Sequence, residues 1–186
     1  MKKYVLISLV PLLCACAPTI HYFNVTPFID SHYKEMDDSM TIALDNDIPN
    51  DYHFREANLQ NFRVHHFRRT LNVSLFNTFE GSFNTVSTAA QISETGWSLA
   101  LYRVRPFFEI VPLAEENHTK VLVRYEAALF YDGERKLVMD DQALSEDIAI
   151  FRSDVDEVFE EAVQQMCKQI YISTVQEYNK QVTVKR

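Results

Sequence analysis

The stretch VLVRYEAALFYDGERK, residues 121–136, decides the fold of this chain. Apolar residues alternate with polar or small ones from Val121 to Tyr131, which is the period of a β-strand with one buried face. Asp132-Gly133 follows, and this dipeptide favours the tight turn of a β-hairpin. The sequence therefore predicts a long strand that is joined by a hairpin to an antiparallel neighbour over residues 136–150.

Other strand patterns and a first helical pattern precede this hairpin. Residues 40–44, 97–102 and 107–113 have the composition and alternation of strands. A helix is predicted over residues 62–83, with Gly81 placed to end it. Its apolar or small stripe recurs at helical spacing and consists of Val64, Phe67, Leu71, Ser74, Leu75, Thr78 and Phe79.

A second helix is predicted at the end of the chain. Ser153 is a suitable N-cap, and Asp154, Asp156 and Glu157 suit the positive end of a helix dipole. One face is apolar: Val155, Val158, Phe159, Ala162, Val163, Met166 and Ile170. The order strand, helix, several strands, helix predicts an α+β fold, an antiparallel sheet with two helices packed on one face.

The N-terminus has the pattern of a signal peptide. Lys2 and Lys3 precede an uncharged apolar run over residues 4–13, which is too short to cross a bilayer as a helix. The run ends in Leu13-Cys14-Ala15-Cys16. We therefore expect a signal peptide over residues 1–15, an N-terminal tether over residues 16–38 and a single α+β domain over residues 39–186.

The cleavage region resembles the lipobox of bacterial lipoproteins, in which an aliphatic residue and two small residues precede a cysteine. Leu13, Cys14, Ala15 and Cys16 occupy these places in order. The resemblance implies that Cys16 becomes the first residue of the mature chain and carries diacylglycerol and palmitate-type acyl chains. Two or three such chains anchor a protein to a membrane without a membrane-spanning helix.

The resemblance also implies an address in the cell envelope. In Gram-negative bacteria an Asp after the acylated cysteine tends to retain a lipoprotein at the inner membrane, whereas this chain has Ala17. We therefore expect the protein at the cell membrane through its lipid and, in a Gram-negative host, at the outer membrane facing the periplasm.

The net charge limits the partners that the chain can bind, and the cysteine content limits its disulfides. The net charge is −8, and it becomes −10 when Lys2 and Lys3 leave with the signal peptide. A surface this acidic disfavours nucleic acid and anionic lipid headgroups. Cys167 is the one cysteine left free in the mature chain, so no internal disulfide is expected, and its helical apolar neighbours predict a buried thiol.

The residues that could carry chemistry are scattered in the sequence. The histidines, His21, His32, His53, His65, His66 and His118, lack metal-ligand spacing. Asp45, Asp47 and Asp51 crowd one loop, where a solvated turn is a better interpretation than a calcium site because the Gly and Glu of a calcium loop are missing. We therefore expect no metal site and no cofactor.

Two charged groups have alternative interpretations. Asp140, Asp141, Glu146 and Asp147 could supply paired carboxylates, although on a hairpin strand they are expected to keep a sheet edge soluble. The basic group of His65, His66, Arg68 and Arg69 could face a partner, although the exposed face of a helix is favoured.

The function expected from these features is binding and not catalysis. The layout is similar to that of the small α+β lipoproteins that accompany envelope transport or assembly machines, such as transport-auxiliary lipoproteins. This predicts a non-enzymatic binding, assembly or transport-accessory subunit that has an envelope protein as its partner. A small-ligand or lipid carrier is the alternative, and a cavity lined by Trp97 and phenylalanines would favour it. An envelope hydrolase is a second alternative, for which a Ser or His beside a carboxylate in a cleft is required.

Overall fold

A computed structural model of the chain describes residues 19–22, 36–53, 62–113, 116–147 and 155–184. The chain order is β1, β2, β3, β4, α1, β5, β6, β7, β8, α2. The strands are β1 Thr19–Tyr22, β2 Met36–Leu44, β3 Tyr52–His53, β4 Phe62–His65, β5 Phe83–Ala89, β6 Trp97–Leu113, β7 Glu116–Tyr131 and β8 Glu134–Leu144. The helices are α1 Phe67–Glu80 and α2 Val155–Val184.

The main sheet has five strands in the order β5-β2-β6-β7-β8. The β6, β7 and β8 strands are antiparallel, but β2 runs parallel to both β5 and β6. The α+β class is confirmed, whereas a purely antiparallel sheet is wrong because the sheet is mixed. The parallel pairing of β2 with β5 follows from the long connection through β3, β4 and α1, which returns the chain to the end at which β2 began.

Both helices pack on the same face of the main sheet, called the inner face here. The predicted stripe of α1 is buried, and so are the predicted apolar residues of α2. They form one core cluster with the inner residues of the strands, among them Ile42, Leu99, Val123 and Leu129. The placement of two helices on one face is therefore confirmed.

The start of α1 differs from the prediction of a helix over residues 62–83. Residues 62–65 are strand β4, which pairs with β1 and β3 in a small second sheet. His66 then adopts a left-handed conformation, with a φ of 55°, and α1 begins at Phe67. The helix begins later than predicted because the backbone of residues 62–65 pairs with β1 and β3.

The hairpin predicted at Asp132-Gly133 is confirmed. Both residues have positive φ, 49° at Asp132 and 75° at Gly133, as a two-residue turn of type I′ requires. A second contact fixes the turn: the Gly96 N–H donates to Asp132 Oδ1 at 2.9 Å, and the Asp132 N–H donates to Gly96 O at 3.0 Å. The start of β6 is thereby attached to the turn between β7 and β8.

The two strands predicted over residues 97–102 and 107–113 are a single strand, β6. An irregularity in its pairing with β7 between Leu101 and Arg103 shifts the alternation of the two faces. Leu101 and Val104 are both buried, whereas Tyr102 and Arg103 are both exposed. The shift explains why one strand has two separate apolar patterns.

Other stretches of the chain differ from the prediction or lie outside the described residues. Strand β1 and the first residues of β2 lie within the stretch predicted as a tether, 16–38. Strand β5, rich in Thr and Ser, had no predicted counterpart. Ser153 and Asp154, predicted to begin the last helix, lie outside the described residues, as do residues 1–18 with Cys16.

Candidate binding surfaces

The basic residues at the start of α1, His65, His66, Arg68 and Arg69, make different contacts. Arg68 donates through Nη2 to Leu44 O at 2.6 Å and so holds the end of β2. Arg63, which lies on β4 before this group, donates through Nε to His53 Nε2 at 2.9 Å. Arg69 is exposed. This group is therefore not one patch facing a single direction, and one of its members is committed to the fold.

Asp51 joins the acidic loop to the histidines. Its Oδ1 accepts from the His66 backbone N–H at 3.0 Å and lies 3.2 Å from His65 Nδ1. The His66 N–H bond, followed by the charge and hydrogen bond of His65, lowers the pKa of Asp51 below its ordinary value. A His beside a carboxylate was the requirement for a hydrolase, but this carboxylate fixes the start of α1, and neither residue lines the clefts described below.

The rest of the acidic loop is a turn. The Asp47 N–H donates to Asp45 Oδ1 at 2.9 Å, which is an Asx-type turn. The Ile48 N–H donates to Asp45 O at 3.2 Å. In the described ranges no three metal-ligating side chains are grouped. His21 and His118 lie in β1 and β7, and His32 lies outside the described residues.

The four carboxylates of the β8 region do not converge. Asp141 Oδ1 accepts from the Gln142 N–H at 2.8 Å, and Glu146 accepts from Gln165 Nε2 at 3.0 Å. Asp140 lies on the face of the sheet opposite the helices, whereas its neighbour Asp141 lies on the inner side, opposite Tyr125. Asp140 and Asp141 therefore add charge to the edge strand β8, as expected for a soluble edge, and Glu146 contacts α2.

Trp97 lies within a filled core. It is 1% exposed, and its ring packs against Tyr131 with centroids 4.9 Å apart and against Tyr178 with centroids 5.8 Å apart. Phe79 and Phe83 form a neighbouring aromatic pair with centroids 5.9 Å apart. Trp97 is therefore packed against core rings, whereas the carrier alternative requires that it line a cavity.

Cys167 is buried, as the sequence predicted. Burial raises the pKa of its thiol to about 12, and a hydrogen bond with Thr78 lowers it by less. A thiol in this state is protonated at neutral pH and is a poor nucleophile. Its role is to fill space between the helices and the sheet.

Two open clefts lie on the face of the main sheet that points away from the helices, called the outer face here. The larger cleft, about 490 Å³, lies between the segment 90–94, the end of β2 and residues 100–102 of β6. Its charged lining residues are the acids Asp45 and Glu94. The smaller cleft, about 250 Å³, is bordered by β6, β7 and β8 and contains three arginines, Arg103, Arg105 and Arg124.

The arginine cleft is the least expected feature of this acidic chain. Arg105 on β6 lies directly opposite Arg124 on β7. The Arg124 guanidinium stacks over the Phe107 ring, 5.1 Å from its centroid. Arg103 instead pairs with Glu126. Sequence reasoning missed this cleft because the shift of alternation within β6 is needed to place Arg103 and Arg105 on the same face as Arg124.

The two edges of the main sheet differ in charge. Strand β8 carries Glu134, Arg135, Lys136, Asp140 and Asp141. Strand β5, with the sequence FNTVSTA, has no charged residue and no proline. Charges on an edge strand discourage pairing with another chain, so the two edges are not equally protected.

Comparisons with known proteins concern the fold. No protein-family model matches the chain, and neither does any curated protein. The chain is similar to the crystal structure of protein XCC0632 from Xanthomonas campestris, of family DUF330, with a TM-score of 0.61 and 16% identity over 89% of this chain and 99% of that one. At this identity the likeness shows a shared fold, and it extends over nearly the whole Xanthomonas chain.

Two further solved structures match with lower TM-scores. A rare lipoprotein B from Shewanella oneidensis matches with a TM-score of 0.48 and 10% identity over 80% of this chain and 99% of that one. A minor lipoprotein from Acinetobacter baumannii matches with a TM-score of 0.46 and 8% identity over 80% and 96%. These values are too low to carry an inference about this chain. Neither described helix is long and apolar enough to cross a bilayer.

Proposed function

We propose that this chain is a lipoprotein of the bacterial cell envelope that acts by binding a partner protein as an assembly or transport-accessory subunit. Its anchor is the acylated Cys16 that the lipobox resemblance implies, at the outer membrane facing the periplasm in a Gram-negative host. The partner adds a strand to the edge of the main sheet at β5. The observation that carries this proposal is the lack of charge on that edge.

Strand β5 has the properties of an acceptor strand. It is bonded on one side to β2, from Met36↔Phe83 to Ala43↔Ala89, and no strand of the described chain pairs with its other side. The side chains of Asn84, Thr85, Ser87, Thr88 and Ala89 are exposed. An added strand would obtain main-chain hydrogen bonds there without displacing a charge.

The lipid anchor makes a weak edge contact sufficient. A strand added to a sheet edge gains its affinity mainly from main-chain hydrogen bonds, which are individually modest. Confinement of both proteins to one membrane raises the effective concentration of the partner. Binding of the partner strand at β5 is then close to an intramolecular step. The proposed mechanism therefore combines attachment through Cys16 with recognition through β5.

The test is native mass spectrometry of the acylated protein, extracted from its own membrane in mild detergent. We expect a complex with a defined second protein. The double variant Thr85→Lys/Ser87→Lys adds two charges to the exposed side of β5, and it should lose the complex. Val138→Lys on β8 is the control for a charge added to an edge strand, since Val138 is 58% exposed on the other edge, and it should keep the complex.

A Cys16→Ala variant tests the anchor separately and should lose both acylation and membrane association. A wild-type protein that is monomeric after extraction, or a complex unaffected by Thr85→Lys/Ser87→Lys, would overturn the partner proposal. Retention of Cys16→Ala in the membrane fraction would overturn the anchor.

A further inference from the structure

The outer face of the main sheet carries three short rows of side chains that run across β6, β7 and β8. In an antiparallel sheet, residues directly opposite each other share a face, so the register determines which side chains form a row. The first row is apolar: Phe107 is opposite Leu122, and Leu122 is opposite Leu144. Leu144 is 40% exposed.

The second row is cationic. Arg105 is opposite Arg124, and Arg124 is opposite Gln142. Neither arginine has a carboxylate partner in the described part of the chain. Like charges directly opposite each other destabilise a sheet. Two arginines on facing positions of one cleft, neither with a carboxylate partner, suit one phosphate, because arginine donates two parallel hydrogen bonds to phosphate oxygens.

The third row is acidic at its β8 end. Arg103 is opposite Glu126, and Glu126 is opposite Asp140. Arg103 and Glu126 are paired with each other. Asp140 is exposed and has no ion-pair partner among the described residues. It lies beside the cationic row and lines the same cleft as the three arginines.

The spacing of the rows sets the length of a matching molecule. Successive rows are two residues apart along each strand, or about 7 Å. Each row spans three strands, or about 10 Å. The cleft of about 250 Å³ is smaller than a pocket for a whole drug-sized ligand and suits a headgroup alone. An apolar chain would leave the cleft at Phe107, which lines it, and continue over Leu122 and Leu144.

We infer that this surface binds a single phospholipid whose phosphate is followed by a primary ammonium group, an ethanolamine phospholipid. An acyl chain lies on Phe107, Leu122 and Leu144, the phosphate binds between Arg105 and Arg124, and the ammonium binds Asp140. The order apolar, cationic, acidic across the face is the order acyl chain, phosphate, ammonium along the lipid. The stacked Phe107 ring holds the Arg124 guanidinium ready at the phosphate position.

Charge selects this lipid over an anionic one. The chain as a whole has a net charge of −8, which repels a membrane rich in anionic lipids. The phosphate of an ethanolamine phospholipid is balanced by its own ammonium, and the carboxylate of Asp140 is placed to favour that ammonium. A glycerol headgroup offers Asp140 no cation.

The surface is separate from the β5 edge. It lies on β6, β7 and β8, whereas β5 is the strand at the opposite edge of the sheet. The two proposals therefore fail independently, since variants of one site leave the other unchanged.

The experiment titrates the acylated mature protein in mild detergent with dihexanoyl phospholipids that differ only in headgroup: ethanolamine, choline or glycerol. Bound lipid is counted by native mass spectrometry. We expect one ethanolamine lipid per chain, bound more tightly than the choline and glycerol lipids. Arg105→Gln and Arg124→Gln should each weaken binding by at least about tenfold, since a hydrogen bond to a charged group is lost. Arg69→Gln removes the same charge from exposed Arg69 on α1 and should leave lipid binding unchanged.

Asp140→Asn should retain binding but lose the preference for ethanolamine over glycerol. Asp141→Asn is the matched control, because Asp141 is on the same strand but is opposite Tyr125 and points to the other face. Equal binding of the three headgroups by the wild type, no bound lipid at all, or unchanged binding in Arg105→Gln and Arg124→Gln would each overturn the inference.

Discussion

Arg105 on β6 lies directly opposite Arg124 on β7, on the outer face of the sheet. The two side chains belong to the same cleft, and the described chain provides no carboxylate between them. Cross-strand pairs of like charge destabilise a sheet, and pairs of this kind change stability by about 0.2–1 kcal/mol. A like-charge pair that persists at this cost points to an anionic group as its missing partner.

Replacement of Arg105 by Gln should therefore stabilise the protein. We expect the free energy of unfolding of Arg105→Gln to rise by about 0.2–1 kcal/mol, measured from the urea midpoint. Arg103→Gln is the control, because it breaks the exposed pair with Glu126 and should lower stability slightly or leave it unchanged. An unfolding free energy of Arg105→Gln that is equal to the wild-type value or below it would contradict the repulsion argument.

The two glycines Gly96 and Gly81 should respond differently to alanine. Gly96 has a φ of +70°, and an added Cβ would lie 2.5 Å from Ser39 Oγ. Gly81, at the end of α1, has a φ of −87°, which any residue adopts. We expect Gly96→Ala to lose about 1–2 kcal/mol of unfolding free energy and Gly81→Ala to change little, as measured by urea unfolding. An equal loss in the two variants would show that backbone conformation is not the cause.

Asp51 is expected to stabilise the start of α1 in a pH-dependent way. Its carboxylate accepts the N–H of His66, which has a left-handed conformation. Because the pKa of Asp51 is lowered in the folded state, its contribution is present above about pH 4 and is lost as the pH falls through the lowered value.

The variant Asp51→Ala should consequently have a lower melting temperature than the wild type at pH 7, and the difference should shrink in acid. Thermal unfolding followed by circular dichroism between pH 7 and about pH 3 measures this. Asp47→Ala is the control, since Asp47 is an exposed acid of the same loop that uses its backbone N–H, and not its side chain, in the turn. A difference that is constant over this pH range would argue against the carboxylate.

These residues also show what the sequence could predict. The stripe of α1, the apolar face of α2 and the Asp132-Gly133 turn were visible because each depends on neighbours within a few residues along the chain. The start of α1 was not, since Asp51 fixes His66 from 15 residues away. Strand β5 was missed for a similar reason, because its Thr and Ser side chains give no burial pattern and its pairing with β2 defines it.

The arginine cleft could not be predicted for a further reason. Arg103, Arg105 and Arg124 come together through a register between β6 and β7 that shifts after Leu101. A strictly alternating strand would have placed Tyr102, and not Arg103, on the outer face after Ala100. One local irregularity, which no residue of the sequence announces, therefore decides which charges share a face.

Cys167 should be unreactive until the protein unfolds. It is 1% exposed, and burial raises the pKa of its thiol to about 12. We expect iodoacetamide at pH 8 to leave Cys167 unmodified in the native protein and to modify it in urea, as detected by peptide mass mapping.

The same raised pKa predicts that the unfolding free energy falls as the pH rises above about 9, because the unfolded chain then loses the thiol proton and the folded chain keeps it. Cys167→Ala lacks the thiol. The unfolding free energy of this variant, measured by urea unfolding, should therefore fall less steeply with pH between about pH 9 and 11. Equal slopes in the two proteins, or labelling of native Cys167 as fast as in urea, would mean that the thiol is not enclosed between the helices and the sheet.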